Sequence, residues 1–307
     1  MATAYFQSGQ RLADPVAELL HAMRSAGIDP ADPSQIVADG KLRRFRVEGD
    51  RAGSANGWAV LHHDHGAAGS WKGGASCTWS AKSAGPMSRA ERDAFGADMR
   101  KARADAQRQL EGKQHNAAQR AADLWAKTRQ ADPSHPYLLK KRIQPGVARQ
   151  SGELLVLRII DIEGELHGLQ YIGPDGTKRM LSGTAKRGHF VVVAGTLPAD
   201  LIVIGEGFAT CMTVADEFPD AAVLAAIDAG NLLQVAHAVR TRHPSTQIVI
   251  AADDDRMTPG NPGLTKAREA AAAVGAKVAR PAWPPGIPLD ASDFNDAACF
   301  LLEKCHG

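Results

Sequence analysis

Aromatic residues are scarce in this sequence, at 5% of its 307 positions. Its core must therefore be filled largely by Val, Leu, Ile and the abundant Ala. Cysteine is scarce too: the four, Cys77, Cys211, Cys299 and Cys305, form no CxxC pair. This excludes a Cys-rich zinc ribbon, argues against a disulfide framework and suits a reducing compartment. No apolar run approaches the roughly 18 residues a membrane-spanning helix needs. Met1 to Gln10 hold no basic stretch followed by an apolar one, so no secretory leader is expected and a cytoplasmic location follows. An excess of one charge is also missing. The formal net charge is +2, so a nucleic-acid surface would have to come from local clustering. No GxxxxGK[ST] phosphate loop is present, which argues against a built-in helicase.

The patterning that is present divides the chain into four stretches. Residues 1–87 read as a small β-rich domain. It opens with a helix over 12–27, with Leu12, Val16, Leu19, Leu20 and Met23 on one face and Gly27 as its stop. Short alternating runs follow, and Trp58, Trp71 and Trp79 are expected to form an aromatic core. Residues 88–140 read as a helical connector. Ser88 and Glu91 form a capping box at its start, few large apolar residues line it, and Asp132-Pro133 and His135-Pro136 end it. Residues 141–198 read as a basic α+β subdomain of short strands, with turns at Glu163-Gly164 and Pro174-Asp175-Gly176.

Residues 199–307 are the most readable. LIVIGE (201–206), AAVLAAI (221–227), QIVIAADDD (247–255) and KVARPAW (277–283) are strands, and helices start near Phe208, Asn231 and Gly263. Continuous apolar strands alternating with helices predict an α/β fold, a parallel sheet of about four strands covered on both faces. Ligands of such sheets sit beyond the carboxyl ends of the strands. Glu206 closes the first strand and Asp253, Asp254 and Asp255 the third. Asp290 and Ser292-Asp293-Phe294-Asn295-Asp296 follow the fourth. Carboxylates gathered at one edge repel unless a cation sits among them, and Mg²⁺ with oxygen ligands suits that position. Gly207 would let backbone and an anion approach closely at the helix start.

A strand ending in Glu206-Gly207, then a strand ending in Asp253-Asp254-Asp255 with Gly263 and Ala267 beyond, resembles the Toprim domain of bacterial-type primases, topoisomerases and related nucleases. The resemblance is specific over 201–296. It continues more loosely upstream through Leu166–Ile172, Gly176–Arg179, Lys186–Gly188, Asp39–Phe45 and His135–Leu138, in the manner of phage- and plasmid-encoded primases. It implies Glu206 as the acid/base or metal-linked carboxylate, Asp253 and Asp255 as catalytic metal ligands, and Asp293 as a further ligand of Mg²⁺ or Mn²⁺. It implies a DNA primase, a nucleotidyltransferase that joins ribonucleoside triphosphates on a single-stranded DNA template. Lys178, Arg179, Lys186, Arg187 and Gly207 would contact template or nucleotide, and a replicative helicase would act in trans. No zinc ribbon or helicase-binding tail of the chromosomal primases is visible.

Blander readings stand beside these. The Asp triplet can be a helix-capping cluster, with Asp254 the member expected to face solvent. The basic residues can be a solvated turn. Arg43, Arg44 and Arg46 with Trp58 and Trp71 suit single-strand binding or an ordinary hairpin. His62, His63, Asp64 and His65 with Cys77 match no standard zinc spacing. The rival functions are a metal-dependent nuclease on the same acidic site and a non-catalytic nucleic-acid-binding accessory.

Overall fold

The structure, a computed structural model, describes residues 14–72, 74–81 and 89–306. The chain divides into two compact units, Met1–Arg108 and Gln109–Gly307.

In the first unit, helix α1 (Pro15–Ser25) begins where the Asp14 carboxylate accepts from the Val16 N–H and Pro15 occupies the first turn. Its buried Leu19 and Met23 pack on an antiparallel sheet of β1 (Arg43–Phe45), β2 (Gly57–Leu61), β3 (His65–Ser70) and β4 (Ser76–Ser80), in that order. Leu12, Ser88 and its capping box lie outside the described residues. Of the expected tryptophan core, Trp79 packs partly buried against the interior, but the tryptophans are not what fill this unit. Phe45, Leu61, Ile28 and Ala68 do, and Phe45 lies over Gly57, where a Cβ would collide with its ring. Trp71 is 53% exposed, with the Arg44 guanidinium 4.7 Å from its ring centroid. Trp71 stands in the turn after β3, and its indole stays outside.

Helix α2 (Arg89–Ala126) carries the chain into the second unit. The sequence suggests a solvated arm, yet Ala117 and Ala121 are fully buried and Ala121 packs with Val156 and Leu169. Alanine permits this approach because nothing projects to hold the helix off.

The second unit holds two five-stranded sheets. One is formed by β5 (Arg129–Gln130), β6 (Arg149–Ser151), β7 (Leu154–Ile160), β8 (Leu166–Ile172) and β9 (Lys178–Met180), in sequential antiparallel order. The short helix α3 (Pro136–Lys141) lies between β5 and β6 in sequence. The other contains β10 (Val191–Ala194), β11 (Leu201–Gly205), β12 (Ala222–Ala225), β13 (Gln247–Ala251) and β14 (Lys277–Ala279), in the order β10-β12-β11-β13-β14. β11 to β14 are parallel, and β10 is an antiparallel edge. The helices are α4 (Phe208–Glu217), α5 (Leu232–Arg242), α6 (Pro262–Val274) and α7 (Phe294–His306).

Strand alternation sends successive side chains of this sheet to opposite cores. Val203, Val223 and Ala251 meet Phe208, Cys211 and Val214 of α4, Phe294 of α7, and Leu155, Leu157 and Ile159 of the antiparallel sheet. Ile202, Ile204, Leu224 and Ile250 meet Leu232, Val235 and Val239 of α5 and Leu264, Ala267 and Ala271 of α6. Burying one Leu or Ile side chain contributes about 1.5–3 kcal/mol, so these two apolar layers dominate the unit's stability. After β11 the chain moves to one side to form β12, then crosses to the other side to form β13. The order therefore reverses at β11, and a crevice opens beyond the ends of β11 and β13.

Candidate active site

The register pairs Ile204 with Ile250. Glu206 and Asp253 therefore stand two and three residues beyond one rung of the parallel ladder, at the crevice. Both are largely buried, and neither has all its oxygens satisfied: Glu206 Oε1 and Asp253 Oδ1 are buried without a hydrogen-bond partner. Burial, joined by repulsion from Asp255 and Asp228, pushes the Glu206 carboxyl up to about 7. Burial, joined by repulsion from Glu206, Asp293 and Asp255, pushes Asp253 up to about 8. Lys178 opposes both rises. The three acidic stretches thus meet at one rim.

The rim is held by local bonds. Asp255 Oδ2 accepts from the Gly263 N–H at 2.9 Å, at the start of α6. A Cβ at Gly263 would stand 2.8 Å from the Asp253 carbonyl oxygen, so glycine is needed for this approach. Asp293 precedes α7: its Oδ1 accepts from the Asp296 N–H at 2.8 Å, and its Oδ2 from Thr210 Oγ1 at 3.2 Å. Asp290 is exposed in the preceding loop.

Asp254 does not face solvent. It is 6% exposed, its Oδ1 accepts from Asn261 Nδ2 at 2.6 Å and its Oδ2 from Trp283 Nε1 at 3.0 Å. These bonds hold its carboxyl below the usual range against the opposing effect of burial. Its role is to fasten the loop after β13, leaving Asp253 and Asp255 for the crevice.

Among the basic residues, Lys178 reaches the rim. A Cβ at Gly207 would lie 3.3 Å from its Nζ, so the bare backbone at the start of α4 makes room for the ammonium. Lys186 is paired with Asp228 at 2.6 Å, and Asp228 in turn bears on Glu206. Arg179 follows Lys178 on β9 and faces the other way by strand alternation, and Arg187 is exposed.

Sequence reasoning missed five members of this neighbourhood, Lys140 among them. Lys141, at the end of α3, lies 3.2 Å from Asp296 Oδ1 and 4.0 Å from Asp293 Oδ2. Burial works against its ammonium, but Asp293 and Asp296 outweigh it and raise its pKa. Tyr137 is buried, and burial together with Asp293 pushes its phenol up to about 12. Thr210 supports Asp293, and Asp228 holds Lys186. The signal for α3 was His135-Pro136: the His135 Nδ1 accepts from the Tyr137 N–H at 3.2 Å, with Pro at the first turn. Tyr137, Lys140, Lys141, Lys178, Thr210 and Asp293 line a cleft of about 240 Å³. Three ammonium groups beside an acidic rim can take a polyphosphate whose charge the carboxylates alone would repel.

Residues 201–301 match the Toprim domain family model. The C-terminal third of the chain is thus similar to Toprim domains, and most of the chain is similar in sequence to DNA primases. It is 39% identical over 290 residues to a DNA primase TraC of Escherichia coli, covering 89% of this chain and 27% of that protein. To a second DNA primase TraC of Escherichia coli it is 37% identical over 287 residues, covering 88% and 20%. The chain thus spans about a quarter of the length of these curated relatives. Among solved structures, the primase fragment of the bacteriophage T7 primase-helicase protein overlaps 58% of this chain and 76% of its own. That overlap has 14% identity and a TM-score of 0.42. No helix among the described residues is long and apolar enough to cross a membrane.

Proposed function

We propose that this chain is a DNA primase: a nucleotidyltransferase that builds short RNA primers from ribonucleoside triphosphates on single-stranded DNA. We place its work in the cytoplasm, in plasmid or phage replication, with any helicase acting in trans. The observation that carries this reading is the pair of buried, unpartnered carboxylate oxygens, Glu206 Oε1 and Asp253 Oδ1, inside a repelling acidic cluster. A buried acceptor without a donor is costly. A hard divalent cation is the partner that fits an all-oxygen donor set, so Glu206, Asp253, Asp255 and Asp293 would hold Mg²⁺ or Mn²⁺.

When bound, such a cation neutralises charge developing on a transferred phosphoryl group. The chain's own residues do the rest. Lys178, Lys140 and Lys141 would receive the triphosphate in the cleft, and Asp293, braced by Thr210, would keep Lys141 turned toward it. Gly207 would let phosphate approach the start of α4. Lys186, Arg179 and Arg187 would follow the template backbone. The relationship to TraC primases favours synthesis over hydrolysis at this rim.

The test is incubation of the full chain with single-stranded DNA, labelled ribonucleotides and Mg²⁺. The expected result is short RNA products that vanish with EDTA and with Asp253→Asn, while DNA binding by the variant persists. Shortened template without labelled product would overturn the reading.

A further inference from the structure

A second cluster of ligand-bearing side chains lies in the antiparallel sheet's region, built from residues the acidic rim does not use. Asp161 follows β7, His167 lies on β8, and His189 sits in the loop before β10. One ligand atom from each falls within 4.8 Å of the other two. We propose that Asp161, His167 and His189 form a binding site for a borderline transition metal, with Zn²⁺ as the representative ion.

Three observations support this. First, backbone pairing brings the segments together. Ile160 and Phe190 exchange both of their backbone hydrogen bonds, at 2.9 Å each, which places Asp161 and His189 side by side. Gly168 has no Cβ to collide with Thr184, so the loop leading to His189 can lie across β8. Second, two of the three ligands, Asp161 and His189, are oriented by a further partner, as metal-bound side chains are. Asp161 Oδ1 accepts from the Glu163 and Glu165 N–H groups, at 3.0 and 2.9 Å, leaving Oδ2 turned toward His167 Nε2 at 2.8 Å. His189 Nδ1 donates to the Ala185 carbonyl at 2.7 Å, so its Nε2 carries the lone pair. Third, the two imidazoles stack with centroids 4.0 Å apart at 14°.

Two imidazoles and one carboxylate, with bonds of about 2.0–2.2 Å, are a donor set for Zn²⁺ with one position left to solvent. The side chains are only partly buried, so rotation about their χ angles can close the set. A bound ion would tie the β7–β8 hairpin to the loop carrying Lys186 and Arg187. The site stands whether or not the chain makes primers.

The test is titration of the metal-stripped full chain with Zn²⁺, and with Co²⁺ read by its visible absorption. X-ray absorption at the zinc edge would identify the ligand atoms. One ion per chain is expected, with two imidazole nitrogens in its shell. His167→Ala and His189→Ala should each weaken uptake beyond the about 10–100-fold that losing an outer-shell partner costs, whereas Asp253→Asn should leave it unchanged. The spectrum of the unmodified chain tests the ligand set even if a variant fails to fold. The proposal is overturned by absence of stoichiometric uptake, by a shell of oxygens alone, or by uptake that Asp253→Asn abolishes and the histidine substitutions spare. The first of these outcomes would leave Asp161 and His167 as a hydrogen-bonded pair bracing the hairpin.

Discussion

Without a divalent cation, the acidic rim should make the folded protein less stable as pH rises, and the structure sets how much. Unfolded, Asp253 ionises near its ordinary value of 3.8; folded, it ionises near about 8. Between those values the folded chain keeps a proton that the unfolded chain has lost. Stability therefore falls with pH across that window and levels off above it. One pKa unit is about 1.4 kcal/mol, so the loss attributable to Asp253 is on the order of 5 kcal/mol. Part of this is repulsion from Glu206, raised for the same reasons to about 7, so the two losses do not add. For a unit of this size, 1 kcal/mol moves Tm by about 2–4 °C. The unit carrying the rim should then melt on the order of 10 °C lower at about pH 9 than at about pH 5 in EDTA. An amide at this position would not ionise, so Asp253→Asn should escape the share of the fall that belongs to Asp253 and keep only that of Glu206, whose rise is mainly burial; the variant should be the more stable protein at high pH without metal. Saturating Mg²⁺ should restore the wild type, by about 2.7 kcal/mol at 100 times its Kd, and should do little for the variant. Calorimetry of both proteins with EDTA or Mg²⁺ measures this. A wild-type-minus-variant difference that stays flat with pH would refute the reasoning, because the two carboxylates would then not share a dry rim.

Three other substitutions probe the same architecture. Gly263→Ala should cost about 1–3 kcal/mol in urea unfolding, since its Cβ would press on the Asp253 carbonyl at 2.8 Å; it should also weaken Mg²⁺ binding by displacing Asp255. Asn231 is 1% exposed, and its Nδ2 serves the carbonyls of Lys186, His189 and Ala226. Asn231→Ala should destabilise by about 1–3 kcal/mol for each buried partner left unpaired and loosen the loop that carries Lys186 and Arg187. Lys141→Met should raise the KM for ribonucleotides by about 10–100-fold, the worth of a charge-assisted hydrogen bond, with single-stranded DNA affinity little changed. Steady-state primer synthesis and filter binding separate the two effects.

The parts of this molecule legible in its sequence share one property: the physics that fixes them is local in the chain. A strand buried on both faces must be continuously apolar, so 201–206 and 247–251 could be read directly, and the strand ends then located Glu206 and Asp253. Asp254 was misjudged because its surroundings come from Trp283 and Asn261, and no spacing rule states that an indole 29 positions away will donate to it. The antiparallel pairing of β10 with β12 was invisible for a similar reason. Val191–Ala194 is apolar whichever sheet it joins, and only Val191 facing Ala225 decides. Trp71 misled because abundance suggests burial, whereas it falls in the turn after β3 while Phe45 fills the inner face and Trp79 packs against it.

Lys141 shows the limit most sharply. It sits 155 residues from Asp296, and its position depends on Asn295, which is 2% exposed and donates to the Lys141 carbonyl at 2.7 Å and to Thr213 Oγ1 at 3.0 Å. Asn295 thus fastens α3 to α7 and α4. A motif reading treats Asn295 as part of an acidic run, whereas in the fold it is the tie that brings a cation from a distant helix to the acidic rim. If that tie is what aims Lys141, Asn295→Ala should raise the KM for ribonucleotides as Lys141→Met does. Combining the two substitutions should then add little to either alone, because neighbours that act through one contact are not additive. Independent, additive effects of the two on KM would mean that Lys141 is held by Asp293 and Asp296 alone.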